Sequence, residues 1–216
     1  MSSAHLRSRG AMFVHVPKTA GYSVTVALRG SDLDVAFHPV RNLRRPTGSA
    51  RWITSVAGRR FWAENFTFCF VRNPWDWTVS GWKHVTRNKP CYDDPPEFGA
   101  FVRGEWRRGL GPNPSPEKYR SAAVCVAHHT QVTQWEHLQI GFPRRLAPFD
   151  RVCRFERLAE EWEEVCERLG VEMPLPHENR SERTHYSAYY DEETRRIVER
   201  RNAPLIERFG YRFDGG

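Results

Sequence analysis

No apolar run approaches the roughly 20 residues needed to cross a membrane, and residues 1–10 lack the apolar centre of a signal peptide. Cysteine is sparse and badly spaced for a framework: Cys69, Cys91, Cys125, Cys153 and Cys166 are five, an odd number, with no CxxC pair. Together these absences lead to the expectation of a cytoplasmic protein with no disulfide framework, no membrane span and no metal. Neither glycine-rich nucleotide signature is present, since there is no GxGxxG and no glycine, four residues, then Gly-Lys-Ser/Thr. Internal repeats and low-complexity tracts are also missing. Acidic residues are the minority, 26 against 33 basic, for a net charge of +7. The basic residues are scattered, which points away from a nucleic-acid face and toward a solvated surface or an anionic ligand.

What is present is enough for a core. With 216 residues, 39 % hydrophobic and 13 % aromatic, the chain reads as one globular domain over 11–216, after a flexible 1–10. Short apolar or β-branched runs at Met12–Val16, Leu33–Phe37, Phe66–Val71 and Arg151–Phe155 alternate with helical patterns. This alternation predicts an α/β fold, a short central parallel sheet flanked by helices. Glu156–Leu169 reads as a helix with Leu158, Trp162, Val165, Cys166 and Leu169 on one face and Gly170 as its stop. Asp191 is placed to cap a later helix, which Pro204 is expected to interrupt, and Pro95-Pro96 to open one bearing Phe98, Phe101, Val102 and Trp106.

Chemistry enters at Phe13-Val14-His15-Val16-Pro17-Lys18-Thr19-Ala20-Gly21-Tyr22-Ser23, an apolar strand running into a short loop and then a helix over about Val24–Leu28. Such a junction aims backbone N–H groups and the positive end of a helix dipole at one spot. Lys18 adds a point charge, and Thr19 and Ser23 add hydroxyls. A second strand, Phe66–Val71, ends in Arg72; Asn73-Pro74 turns the chain, and Ser80 follows eight residues after Arg72 on a helix. The arginine can fork onto a phosphate and the serine donate to the same group. Two strands ending in anion-binding groups at the carboxyl edge of a parallel sheet fit a ligand with two separated phosphates. His38, at the end of the run Leu33–Phe37, is a candidate base. His84, four residues after Ser80, is the second candidate; His15 reads as orienting the loop. His128-His129 hint at metal but show no Cys, Asp or Glu partner at ligand spacing.

These pieces resemble the sulfotransferases that use 3′-phosphoadenosine 5′-phosphosulfate (PAPS), in particular the carbohydrate-sulfotransferase branch and its bacterial relatives. The likeness runs from Phe13 to Phe213, through Phe149–Leu158 and the Pro174-Leu175-Pro176-His177-Glu178-Asn179-Arg180-Ser181 loop, and thins over a variable region of about 86–146. It implies a P-loop-like three-layer fold and sulfuryl transfer from PAPS to an acceptor hydroxyl, a sugar's being favoured, with 3′-phosphoadenosine 5′-phosphate (PAP) as product and no metal. Carried over, Lys18, Thr19, Ala20, Gly21, Tyr22 and Ser23 bind the 5′-phosphosulfate, with Tyr22 where the family usually has threonine. Arg72 and Ser80 bind the 3′-phosphate, and Asn179, Arg180 and Ser181 lie on the cofactor side. Lys18 steadies the leaving oxygen, His38 serves as base in the run His38-Pro39-Val40-Arg41, which resembles the family's H-x-x-x-R segment, and Arg41 contacts the sulfonate or acceptor. Two rival readings are a P-loop-like kinase or NTPase and a non-catalytic basic nucleotide-binding module. The first would need a Walker B aspartate ending a strand, whereas Asp150 precedes one. Acceptor and oligomeric state are left open.

Overall fold

The computed structural model describes residues 2–39, 49–87, 92, 94–107, 110–111, 114–176 and 184–214. In chain order its elements are β1 (Ser2–Leu6), β2 (Ala11–Val14), α1 (Gly21–Arg29), β3 (Val35–Pro39), α2 (Ala50–Ala57), α3 (Arg60–Glu64) and β4 (Phe66–Val71). Then come α4 (Pro74–Arg87), α5 (Phe98–Val102), α6 (Pro116–Val126), α7 (Gln134–His137), β5 (Gln139–Ile140) and β6 (Arg145–Leu146). The chain ends with β7 (Arg151–Arg154), α8 (Leu158–Leu169) and α9 (Glu192–Phe209). These fall into two compact units, Met1–Arg72 with Gln134–Ser181, and Asn73–Thr133 with Glu182–Gly216.

The first unit is built on a five-stranded sheet in the order β3-β1-β2-β4-β7. Strands β2, β4 and β7 are parallel, and β1 runs antiparallel to both β2 and β3. Strand β3 therefore points the same way as the parallel three, and four carboxyl ends open on one edge. This is the helix-flanked parallel sheet that the alternating pattern predicts, with the antiparallel β1 set inside it. Alternation along the strands sends Ala4, Leu6, Phe13, Phe68 and Phe70 into one buried cluster with Val24 and Leu28 of α1 and Trp162, Val165 and Leu169 of α8. Helix α8 keeps the predicted apolar face and stops at Gly170, whose φ of 64° suits glycine. On the other face, Phe61 of α3 meets His5 of β1 edge-on at 5.2 Å. At the amino edge the Asp150 carboxylate accepts from Thr67 N (2.8 Å) and Thr67 Oγ1 (2.9 Å), stitching the start of β7 to β4.

The N-terminal segment, expected to fray, is instead β1, inside the sheet, with Ala4 and Leu6 wholly buried. Only two of its side chains reach this core cluster, too few to register as an apolar run. The pairing partners on either side supply the stability that composition did not advertise.

The second unit is helical over its described residues. Val85, Phe101, Trp106, Leu110, Ala122 and Val126 form its buried cluster. Phe98, Phe101, Val102 and Trp106 are core as expected, but α5 starts after its N-cap Glu97 and ends at Val102, so Pro95-Pro96 does not open it and Trp106 lies beyond it. Asn73 begins α4: its Oδ1 accepts from Trp75 N (3.1 Å), with Pro74 at the first helical position. Asp191 caps α9 through Thr194 N at 2.7 Å, as expected. Pro204 does not interrupt α9, which is continuous through it. Proline forfeits one ladder bond, but Val198, Asn202 and Leu205 on the buried face hold both halves in line. Among the described residues, no helix is long and apolar enough to cross a membrane.

Candidate active site

Among the described residues, the loop between β2 and α1 has the most unusual backbone. Lys18 (φ 65°) and Ala20 (φ 64°) are its two non-glycine residues in the left-handed region, a conformation costing about 1–2 kcal/mol each. Alternating handedness of this kind curls consecutive N–H groups around a concavity that suits an anion. Ala20 is also the N-cap of α1 and offers no side-chain acceptor. By contrast, side chains cap α2 (Ser49 to Trp52 N), α4 and α9. The first-turn amides of α1, at the sheet's carboxyl edge, thus receive no bond from their N-cap side chain.

Three contacts hold the strained loop. Thr19, fully buried, donates its hydroxyl to Val16 O at 2.8 Å. That corrects the expectation of a ligand-facing Thr19 hydroxyl: the side chain is engaged in shaping the loop, leaving the main chain for an anion. Gly21 sits against the buried His15 ring so closely that a Cβ there would lie 1.9 Å from Cδ2. His15 thereby orients the loop, as its position in sequence suggested. Finally, Arg72 Nη1 donates to Lys18 O at 3.2 Å, joining the two motifs directly.

Register explains that contact. Val14 pairs with Cys69 and Val71 with Arg154, so continuing both ladders brings Arg72 level with Pro17 and with Phe155. The Arg72 guanidinium accordingly lies over the Phe155 ring, 4.0 Å from its centroid. Its main chain is clamped by the buried Gln134, which accepts from Arg72 N and donates to Arg72 O, both at 2.8 Å. Arg72 is only 7 % exposed, a cation fixed before any ligand arrives.

His38 lies on β3 opposite Ser3, and Ser3 Oγ accepts from His15 N at 2.8 Å. Two strand spacings, about 10 Å, separate it from the end of β2, on the same carboxyl edge. The ring is half-buried beside Trp52 (5.3 Å between centroids). Burial first, then the positive charge of His5 and Arg7, lowers its pKa below 6.5, so the neutral, proton-accepting form prevails at neutral pH. Of the remaining loop residues, Tyr22 is 48 % exposed and Ser23 buried. Ser80, in the second unit, is half-buried in the second turn of α4. Trp75 and Trp77, at the start of α4, are core residues. Arg41, Asn179, Arg180 and Ser181 lie outside the described residues.

A family model described as the sulfotransferase family matches residues 7–212. The chain belongs to the sulfotransferase family. This sulfotransferase is therefore a transferase enzyme, acting on a hydroxyl-bearing acceptor, and its helix-flanked sheet is the P-loop-like fold of that family. No curated protein and no solved structure matches it. The kinase or NTPase reading loses its remaining prop, because Asp150 is occupied at the far edge of the sheet.

Sequence reasoning missed two features of the sulfotransferase. Gln134 falls where the resemblance thins, and a lone glutamine carries no signal of a backbone clamp. Cys125 and His129 are the second: four residues apart, about one helical turn, they share a face, a spacing visible in the sequence.

Proposed function

We propose that this sulfotransferase moves a sulfuryl group from PAPS to an acceptor hydroxyl, with a carbohydrate as acceptor. The observation that carries the reading is the Arg72 to Lys18 contact, which sets a fixed cation beside a backbone anion cradle. The donor set fits a phosphosulfate: curled main-chain amides, a helix start without an N-cap side-chain bond and one lysine, with no carboxylate among them, and the Arg72 cation next to them for a second phosphate. PAPS, when bound, supplies an electrophilic sulfur and a PAP leaving group.

The roles follow from chemistry. The amides of Thr19 to Ser23 hold the 5′-phosphate end. Lys18 neutralises charge growing on the bridging oxygen as the S–O bond breaks. His38, kept neutral, takes the proton from the acceptor hydroxyl as its oxygen attacks sulfur in line. Arg72 binds the 3′-phosphate, and by resemblance alone Ser80, Asn179, Arg180 and Ser181 are assigned to it as well.

Calorimetry with PAP tests the assignment. Arg72→Ala is expected to weaken binding by about 1.5–3 kcal/mol, or roughly 10–150-fold; wild-type affinity would overturn the role of Arg72. Incubating acceptor pools with PAPS carrying radioactive sulfur is expected to label the carbohydrate fraction. Label confined to phenols, lipids or peptides would replace the acceptor and leave the donor standing.

A further inference from the structure

Apart from the cradle, one cluster of metal-ligating side chains stands out among the described residues. His84 comes from α4, Cys125 from the last turn of α6, and His129 from the π-helical segment Ala127–Gln131 that follows it. One nitrogen of each imidazole and the Cys125 Sγ all lie within 4.8 Å of one another. The two imidazole rings meet edge to face with centroids 4.4 Å apart. Around a tetrahedral zinc ion, with bonds of about 2.0–2.3 Å, neighbouring ligand atoms stand about 3.3–3.6 Å apart. Closing the set takes movements on the order of 1 Å, within the reach of side-chain rotation.

The backbone supports the convergence. Val132 N donates to Ala127 O at 3.0 Å, the i to i+5 bond of a widened turn, and such turns recur at functional sites. His129 is buried at 8 % exposure, while Cys125 is half-buried against the apolar cluster of Val85, Ala122 and Val126. The surroundings thus exclude much water while leaving one side of the group accessible. The donors are two imidazoles and a thiol with no carboxylate, a set that selects zinc or a similar borderline-soft ion over magnesium or calcium.

We propose that His84, Cys125 and His129 bind one zinc ion, with a fourth position for water or an added ligand, clasping α4 to the junction of α6 with the π-turn. On binding, the Cys125 S–H bond breaks, its proton passes to solvent, and the Sγ pair bonds the metal. The imidazoles enter neutral, and nothing is oxidised or reduced.

The test uses the full-length chain, stripped by chelator and titrated with Co²⁺ under reducing conditions. One equivalent is expected to raise a thiolate-to-cobalt charge-transfer band and tetrahedral d–d bands, with about one proton released per metal near pH 7. Zn²⁺ is expected to bleach the bands and raise the melting temperature. Cys125→Ser is expected to abolish the charge-transfer band, and Cys91→Ser to leave it intact. His84→Gln and His129→Gln are each expected to weaken Co²⁺ binding at least about tenfold. Absence of the bands, their survival in Cys125→Ser, or their loss in Cys91→Ser would overturn the site. Should Cys125→Ser fail to fold, wild-type affinity in His84→Gln, on a separate helix, overturns it equally.

Discussion

Gly21 offers the sharpest test of how the cradle is built. A Cβ at this position would lie 1.9 Å from His15 Cδ2 and 2.2 Å from Nε2, about 1.5 Å inside ordinary carbon–carbon contact. The ring cannot swing clear: His15 is 3 % exposed, its edge meets Phe13 at 6.2 Å between centroids, and its own amide is tied to Ser3. Gly21→Ala must therefore displace either a packed imidazole or the start of α1. Overpacking of this kind costs about 1–3 kcal/mol, and any retreat of α1 also spoils the amides aimed at the anion. The expected result is a lower urea midpoint at unchanged slope, with PAP affinity in calorimetry reduced at least about tenfold. His15→Ala removes the obstacle, so the double variant should be more stable than the two single losses predict, by about 1–2 kcal/mol. Additivity within about 0.5 kcal/mol would refute the steric argument. A destabilised Gly21→Ala that binds PAP normally would instead refute the cradle.

Further outcomes are expected at three positions, His38, Ala20 and Pro204. The acid limb of kcat/KM should fall below pH 6.5, because burial and the charges of His5 and Arg7 lower the His38 pKa; His5→Ala, by removing a positive neighbour, should move the limb up toward 6.5. The same shift leaves the contribution of His38 to folding intact above pH 6.5, with stability lost as pH falls from there through the lowered pKa of the folded state. His38→Ala should keep PAP affinity and cut turnover at least about 100-fold; an unchanged pH profile in either variant would remove His38 as base. Ala20→Gly should raise stability by about 0.5–1 kcal/mol, since relief of the left-handed strain exceeds the entropy glycine adds to the unfolded chain; a lower urea midpoint would show that the loop is not strained. Pro204→Ala should restore a ladder bond within α9 and raise the melting temperature, a gain of up to about 3 kcal/mol that a thermal scan reads directly.

Much of the first unit could be read before the structure. Phe66–Val71 is a strand with the predicted bounds, because six apolar or β-branched residues bounded by Asn65 and Asn73-Pro74 leave little alternative. The loop at Lys18 and the arginine at a strand end were legible because an apolar strand broken by lysine, small residues and glycine before a helix marks such a junction locally. β1 was not: Ser2–Leu6 owes its place to partners on both sides, and no local pattern encodes them. Pro204 misled for the opposite reason, a strong local signal overruled by burial of the helix face. Thr19 shows the same limit at the site. Residue type announces a hydroxyl, but only the loop's curl decides that it turns inward to Val16.

Strain at Lys18 and Ala20 persists only because several contacts over-determine it, and this shapes how variants must be read. Arg72 grips the Lys18 carbonyl while its own main chain is gripped by Gln134, so Arg72→Ala removes a cation and loosens the loop together. The two effects separate by chemistry. Arg72→Lys retains charge but loses the planar fork that reaches Lys18 while stacked on Phe155. Gln134→Leu keeps the guanidinium but leaves two buried main-chain groups of Arg72 without their present partners, each worth about 1–3 kcal/mol. A site assembled by register between β2, β4 and β7 thus places its binding energy in contacts that are also folding contacts. Affinity and stability should fall together for Gln134→Leu and come apart for Arg72→Lys.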